Sequence, residues 1–162
     1  MIIIRDAIMK LLTTVTLVLA LPTLAAAQAA ANDAASVEAW LKGYDAAFMA
    51  KDLDRLAAFY HPDTTFYEGG GINNGWADYR DRHLGPELKM FENLEFAHSG
   101  TKVTMLPGGE SAYAVSRYTI KAKMGERLVD NEGLETLLLI KTAEGWKIRH
   151  SHTSGRARRP AQ

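Results

Sequence analysis

The stretch GYDAAFMAKDLDRLAAFYHPD, residues 43–63, decides the fold. Apolar side chains recur at helical spacing on both sides of the polar corner at residues 51–54. Asp52 stands where its side chain can cap a second helix, and the residue before Pro62 avoids the helical conformation. This pattern predicts two helices, within residues 36–60, that meet at the corner.

The segments that follow the corner predict one strand, a third helix and then four more strands. Residues 64–68 are β-branched or aromatic and predict a short strand, whereas residues 76–91 predict a helix. The four later β-rich runs are joined by short connectors that contain glycine, which favours antiparallel neighbours; they span 94–106, 111–124, 127–141 and 146–154. Helices on one face of an antiparallel sheet form an α+β domain.

The first 29 residues have the pattern of a secretory signal peptide. Two basic residues precede an apolar run from Leu11 to Leu24, and small residues follow. The run is shorter than the roughly 20 residues that a transmembrane helix needs. We therefore expect cleavage between Ala27 and Ala29, and an exported protein that is periplasmic or secreted, with no membrane contact after cleavage. An uncleaved anchor is the alternative.

Composition and charge exclude several classes of function. The chain has 19 basic and 19 acidic side chains, which gives no electrostatic footprint for nucleic acid. It contains no cysteine, so no disulfide or thiolate chemistry is available. No phosphate-binding loop or dinucleotide fingerprint occurs, so no cofactor is implied. We predict a signal peptide at 1–29, one α+β domain at 30–155 and a basic flexible tail at 156–162.

Two stretches resemble the nuclear transport factor two-like superfamily, in particular its SnoaL-like and ketosteroid-isomerase-like branches. One is the opening at residues 43–63, and the other is GWKIRHSHTSG, residues 145–155. The second is also similar to the last strand of the calcium/calmodulin-dependent kinase association domain. The resemblance implies a curved antiparallel sheet wrapped as a cone around three helices, with a pocket inside and frequently a dimer. It says less about function, because one fold hosts many activities.

The closing stretch contains two histidines, His150 and His152, which are separated by one residue. Successive side chains of a strand point to opposite faces, and Lys147 and Arg149 should face water because such residues are rarely buried unless paired. Alternation from Trp146 then places both imidazole rings inside the pocket. The alternative is that they are filler on a solvent-exposed face.

A metal site is the less favoured interpretation of the two histidines. Two imidazoles on one face of a strand can share an ion, but a site needs a third ligand. His61, Glu68 and His83 are candidates, and none lies at a diagnostic spacing. No metal is therefore predicted.

The resemblance to ketosteroid isomerases also implies a set of acid–base residues. It places Tyr44 on the helix tyrosine of those enzymes, Glu68 on their base, and Glu135 on a later acid. A carboxylate at the mouth of an apolar cavity can move a proton, and a buried tyrosine can donate to an oxyanion. Glu68 is one methylene longer than the usual aspartate. The alternatives are that Tyr44 only packs in the core and that Glu68 is a solvated loop residue.

The leading hypothesis from the sequence is a small-molecule-binding domain with a half-polar pocket. One alternative is a ketosteroid-isomerase-like or dehydratase-like enzyme in which Glu68 shuttles a proton, assisted by Tyr44 and His150. Another is a non-catalytic assembly module, and we expect a homodimer in any case. The predicted lining of the pocket, besides those three candidate catalytic residues, is Trp40, Phe66, Trp76, Tyr79, His83, Glu135 and His152.

Overall fold

The computed structural model describes residues 21–158. Most of the predicted signal peptide (1–20) and the end of the predicted tail (159–162) lie outside the described residues. Among the residues described, no helix is both long enough and apolar enough to cross a membrane. The structure confirms the predicted α+β class, in which helices lie against one six-stranded sheet.

The first two helices meet at the predicted corner. Helix α1 spans Leu21–Met49 and α2 spans Leu53–Ala57. The Asp52 side chain accepts a hydrogen bond from the backbone N–H of Arg55 at 2.9 Å, which confirms the predicted cap. Helix α2 is shorter than the sequence pattern suggests, because the chain is already extended at Tyr60, where it pairs with the last strand.

The third helical region is continuous but changes from α-helix to π-helix and back to α-helix. It consists of α3 (Trp76–Tyr79), a π-helical turn (Arg80–Leu84) and α4 (Gly85–Met90). A Cβ atom at Gly85 would lie 2.5 Å from the carbonyl oxygen of Arg80, so only glycine fits the junction between the last two segments. The proline at residue 86 follows in the first turn of α4, where its missing N–H costs least.

The sheet has the strand order β2-β1-β6-β5-β4-β3. Neighbouring strands are antiparallel except β1 and β6, which are parallel. The predicted ends of the four long strands are correct to within three residues. The strands are β1 (Tyr60–Glu68), β2 (Gly71–Asn74), β3 (Glu92–Met105), β4 (Ser111–Met124), β5 (Arg127–Thr142) and β6 (Gly145–Ala157).

Two glycines let an aromatic ring lie flat on the inner face of the sheet. Gly133 on β5 and Gly155 on β6 are paired neighbours, and Gly133 also pairs with Tyr118 on β4. A Cβ atom at Gly133 would lie 2.5 Å from the Tyr118 ring, and one at Gly155 would lie 2.3 Å from its hydroxyl oxygen. Tyr118 therefore occupies the space that two side chains would otherwise fill.

A β-bulge in β6 reverses which side chains face inward. Ile148 pairs with Leu139 and His150 pairs with Leu138, so Arg149 has no partner on β5. One extra residue in a strand shifts the alternation of side chains from that point onward. The inward positions are therefore those of Trp146 and Ile148 before the bulge and of Ser151 and Thr153 after it.

The predicted inward orientation of His150 and His152 is wrong for this reason. Both lie on the face of the sheet that points away from the helices, beside Tyr67 of β1. Lys147 also departs from the prediction, because it is buried rather than in water. It is paired, as a buried lysine must be: its Nζ donates to the carbonyl oxygen of Ala58 at 2.7 Å.

Candidate functional site

A cavity of about 170 Å³ lies between the inner face of the sheet and the helices. Seven aromatic side chains contribute to its wall, and they come from α1, β1, α3, the end of α4 and the long strands: Tyr44, Phe48, Phe66, Tyr79, Phe91, Phe96 and Tyr118. We call the buried end next to Tyr44 and Glu135 the inner end. The mouth is the opposite end, where Glu68, Glu87 and Arg127 are more exposed.

Two tyrosine hydroxyl groups meet at the inner end of the cavity. Helix α1 supplies Tyr44 and β1 supplies Tyr60, and their hydroxyl oxygens are 2.8 Å apart. The Tyr60 hydroxyl also interacts with that of Tyr79. Burial raises the pKa of both Tyr44 and Tyr60 well above the usual value for tyrosine. These hydroxyl groups therefore stay protonated at neutral pH and can donate hydrogen bonds.

A buried histidine joins two carboxylates beside this tyrosine pair. His98 Nδ1 lies 2.6 Å from Asp45 Oδ1, and His98 Nε2 lies 2.5 Å from Glu135 Oε2. The second oxygen of each carboxylate is also engaged. Asp45 Oδ2 accepts from the backbone N–H of His98 at 3.0 Å, and Glu135 Oε1 accepts from the hydroxyl of Ser151 at 2.7 Å. The group links α1, β3, β5 and β6.

The two carboxylates keep His98 charged despite its burial. Burial alone would lower the pKa of this imidazole, but the hydrogen bonds with Asp45 and Glu135 outweigh it and raise the pKa to about 9. At neutral pH both ring nitrogens of His98 therefore donate. Glu135 accepts from two donors, so it presents a fixed carboxylate to the inner end of the cavity.

A second histidine lies between two carboxylates at the mouth. His83 Nε2 is 3.2 Å from Glu68 and 3.7 Å from Glu87. Asn73 fixes the other side of the ring. The Asn73 amide nitrogen faces the carboxylate of Asp78, which can only accept, so the amide oxygen accepts from Nδ1 of His83 at 2.9 Å.

The charge state of the mouth follows from these contacts. The hydrogen bond with Glu68 is the main reason why the pKa of His83 is raised above its usual value. Burial raises the pKa of Glu87, and the nearby imidazole of His83 opposes that change. With Nδ1 committed to Asn73, a proton on Nε2 lets His83 bridge the two glutamates.

Several predicted site residues do surround the cavity. Tyr44, Phe66, Glu68, Tyr79 and Glu135 all line it. His83 lies just behind this wall, with its ring edge-on to Phe66 at 5.6 Å.

The two predicted tryptophans lie elsewhere. Trp76 stacks on the outer side of Tyr60, with ring centroids 4.6 Å apart, and Trp40 packs against Phe59 at 5.2 Å. Neither is among the side chains that line the cavity.

His150 and His152 are absent from the cavity wall, which corrects their predicted role as pocket residues. His150 Nδ1 lies 2.7 Å from the hydroxyl oxygen of Thr65 on the neighbouring strand. Burial lowers the pKa of His150, and the nearby His152 lowers it further. Within the part of the chain that the structure describes, no three His, Asp or Glu side chains are grouped so that they could hold a metal ion.

Three residues of the site, Asp45, His98 and Ser151, were not predicted from the sequence. The alternation of β3 contained a signal for His98, because Leu94, Phe96 and His98 share one face of that strand. Ser151 was missed because the bulge is not visible in the sequence. Asp45 follows Tyr44 on α1 and was not distinguishable from a surface carboxylate.

Known structures with the same architecture define the class of this protein. A nuclear transport factor 2-like superfamily protein from Salmonella enterica aligns with a TM-score of 0.70 and 19% identity, over 79% of this chain and 94% of that chain. A candidate dehydratase of the same class from Streptomyces avermitilis aligns with a TM-score of 0.68 and 18% identity, over 78% and 98% of the two chains. The fold is therefore that of the nuclear transport factor 2-like superfamily.

Within this superfamily, the sequence identifies the branch. Residues 37–157 match the SnoaL-like domain family, and the chain belongs to that family. A candidate ketosteroid isomerase from Shewanella frigidimarina is 25% identical, with a TM-score of 0.61, over 70% of this chain and 90% of that chain. No curated protein matches the chain.

Proposed function

We propose that this protein binds a small organic molecule in the central cavity. The observation that carries the proposal is the combination of an aromatic wall with the Glu135 carboxylate fixed at the inner end. Binding sites for small molecules are typically apolar pockets with a few well-placed polar groups. Tyr44 lines the same end, and when Tyr60 donates to it the Tyr44 hydroxyl is free to donate to a ligand.

The volume of the cavity limits the size of the bound molecule. An engineered apolar cavity of about 150 Å³ in another protein holds benzene, and this cavity measures about 170 Å³. The enclosed part therefore has room for one six-membered ring with a small substituent. A longer molecule would extend through the mouth between Glu68 and Arg127.

A variant that fills the cavity tests this proposal. Ile120 on β4 lines the cavity and is only partly buried, so Ile120→Phe should add a ring to the cavity without disrupting the core. Thermal shift and calorimetry with a set of one-ring and two-ring compounds should identify a ligand of the unmodified protein. Ile120→Phe should lower the affinity for that ligand by about tenfold or more, which corresponds to a loss of about 1.4 kcal/mol of binding free energy.

The matched control is Thr119→Phe, which adds the same ring on the opposite face of the same strand. This variant should keep the affinity of the unmodified protein. The proposal fails if no compound binds, or if Ile120→Phe binds as well as Thr119→Phe does.

A second candidate function is proton transfer on the bound molecule. Tyr44 and Glu68 line one cavity, and a neighbour at 25% identity is a candidate ketosteroid isomerase. Glu68 would take a proton from a carbon next to a carbonyl group, the electron pair would move onto the carbonyl oxygen, and Tyr44 would stabilise that oxygen. Return of the proton to another carbon would complete an isomerisation.

Glu135 and His150 have different places in this scheme from those predicted. Glu135 already accepts from His98 and Ser151, so it is not a hydrogen-bond donor to an oxyanion. His150 is on the other face of the sheet and takes no part. Glu68→Gln should abolish turnover of a substrate while the protein stays folded, with a small fall in melting temperature from the lost contact with His83; Glu126→Gln in an exposed turn is the control. Unchanged turnover in Glu68→Gln would reject this role.

We also propose that the chain is exported and then forms a homodimer. The N-terminal sequence pattern supports export. Mass analysis of protein taken from its own source should find a chain that begins between residues 28 and 30, and an intact N terminus would contradict cleavage. Support for the dimer comes from apolar side chains on the outer face of the sheet, which we define by Tyr67, Tyr113, Val115 and Leu134.

A further inference from the structure

We infer that the molecule bound in the cavity is a small organic cation, a protonated amine carried on a single ring. This inference rests on the proposed function, because it names the chemical class of the ligand for the same cavity. It follows from the charges around the cavity, from the orientation of Glu135, from the aromatic side chains of the wall and from a hydroxyl group beside Glu135.

The charged groups around the cavity sum to a negative value. Among the described residues, three carboxylates line it, Glu68 and Glu87 at the mouth and Glu135 at the inner end, and Arg127 is the one cationic side chain in that lining. Behind the wall, the carboxylate of Asp45 and the imidazolium of His98 offset each other. At the mouth, a protonated His83 offsets the negative charge of Glu68. Four carboxylates therefore stand against at most three cations.

Glu135 has acceptor positions left for a ligand. Its side chain is 7% exposed, and each of its two oxygens accepts one hydrogen bond from the protein. A carboxylate oxygen can accept two hydrogen bonds, so two positions remain unused. A hydrogen bond from a charged donor to a carboxylate is roughly twice as strong as one between neutral groups. A protonated amine fits the inner end of the cavity better than an alcohol does.

The aromatic wall favours a positive charge as well. Phe66 and Tyr79 are stacked with centroids 4.0 Å apart, and Phe48 and Phe96 lie 4.3 Å apart. The faces of aromatic rings attract cations, most strongly where water is excluded. Burial raises the pKa of Tyr118 to about 12, and the negative charges of Glu68 and Glu135 contribute.

Thr153 supplies an independent indication of a bound polar group. Its side chain lines the cavity and is 8% exposed. The Tyr118 hydroxyl interacts with the Thr153 hydroxyl group, and no other described residue does. A hydroxyl oxygen has two acceptor positions, so Thr153 can accept a further hydrogen bond from a ligand. An ammonium group can donate to this oxygen and to Glu135.

Three probes of similar shape and different charge test the inference. Benzylammonium, benzyl alcohol and benzoate are titrated into the full-length protein at pH 7 by calorimetry. We expect benzylammonium to bind about tenfold more tightly than benzyl alcohol, and benzoate to show no measurable binding. The Glu135→Gln variant should bind benzylammonium about tenfold more weakly and should change the affinity for benzyl alcohol by less than about threefold.

The matched control is Glu132→Gln, a substitution of the same kind on the same strand. Glu132 pairs with Arg156 on the other side of the sheet, so this variant should bind all three probes as the unmodified protein does. If Glu135→Gln does not fold, the three-probe series on the unmodified protein still decides the question.

The outcomes separate this inference from the function on which it rests. Equal affinity for the alcohol and the ammonium ion, or tight binding of benzoate, would overturn the inference and leave the binding function in place. Binding of other neutral ring compounds without benzylammonium would do the same. A protein that binds no ring compound of any charge would overturn both.

Discussion

His98 holds the charge that fixes the inner end of the cavity. Its imidazole ring is 2% exposed, and it is charged because a carboxylate accepts from each of its nitrogens. An uncompensated buried charge would be strongly unfavourable, so Asp45 and Glu135 stabilise the protein as well as shaping the site. The ionisation of this one residue should therefore affect the stability of the protein and, under the proposed function, ligand binding.

The stability of the protein should depend on pH through His98. The pKa of this residue is about 9 in the folded protein and about 6.5 in an unfolded chain. A raised pKa stabilises the folded state fully below pH 6.5, and that stabilisation disappears as the pH rises through about 9. The free energy of unfolding should fall by about 3 kcal/mol over this interval. His83, whose pKa is also raised, should add to the fall.

Urea denaturation at pH 6.5 and pH 9 measures this difference. His98→Asn should remove most of it, whereas His61→Asn, at an exposed ion pair, should keep it. An equal pH dependence in the His98 variant would contradict the assignment.

The outer histidines should be dispensable for ligand binding. His150→Ala and His152→Ala remove side chains that lie on the outer face, beyond the sheet from the cavity. We expect each to change the affinity of any ligand found in the screen by less than about twofold, because neither ring touches the cavity. A loss of affinity of about tenfold in either variant would show that the side chains of His150 and His152 face the cavity after all.

The site could be predicted from the sequence where local periodicity was undisturbed or where a family resemblance located a residue. Along β6, the alternation of inward and outward side chains that starts at Trp146 holds as far as Ile148. Arg149 has no partner on β5, and this extra residue reverses the alternation after it. Nothing in the residue types of that strand marks the bulge, since it is fixed by pairing with β5. Tyr44 and Glu68 were found because a family resemblance, rather than periodicity, placed them. His98 and Asp45 needed the tertiary structure to bring them together.

At the level of elements, strand boundaries followed from the glycine-containing turns. The connectors after β3, β4 and β5 end each strand within a few residues of the predicted position. The corner between α1 and α2 was predictable for a similar reason, because Asp52 is a local cap. The start of β1 was not, because Tyr60 is extended through pairing with Ile148, which is distant in sequence.

Gly133 should be far less tolerant of substitution than Gly43. A Cβ atom at Gly133 would lie 2.4 Å from the carbonyl oxygen of Ser154, which is backbone and cannot move aside. Gly133→Ala should therefore destabilise the protein by about 2–3 kcal/mol. At Gly43, in helix α1, the nearest atom would be 3.5 Å away, on Phe59, so Gly43→Ala should be neutral or stabilising by up to about 1 kcal/mol.

Chemical denaturation of both variants measures the difference in the free energy of unfolding. Equal stability of the two variants would mean that Tyr118 does not lie against the sheet as described. A destabilised Gly43→Ala would mean that α1 packs more tightly on Phe59 than its distance suggests.

At the scale of the whole molecule, the sheet separates two surfaces with different roles. Its inner face forms the cavity, and its outer face carries exposed apolar side chains across β1, β4 and β5. We expect the outer face to pair two copies of the chain. Val115→Lys places a charge on that face, on β4, and should convert a dimer to a monomer in light scattering.

The matched control for this variant is Glu126→Lys, which introduces the same charge in an exposed turn. It should leave the dimer intact. A monomeric unmodified protein, or a dimer that survives Val115→Lys, would contradict the proposed interface.

The central claim is that a charged histidine holds a glutamate at the inner end of the cavity. Nuclear magnetic resonance titration of the five histidines tests it most directly, with His98→Asn used to assign the His98 signal. The account predicts that His98 keeps its proton until about pH 9, and that Glu135→Gln lowers this value. Titration of His98 near pH 6.5, unchanged by Glu135→Gln, would contradict it.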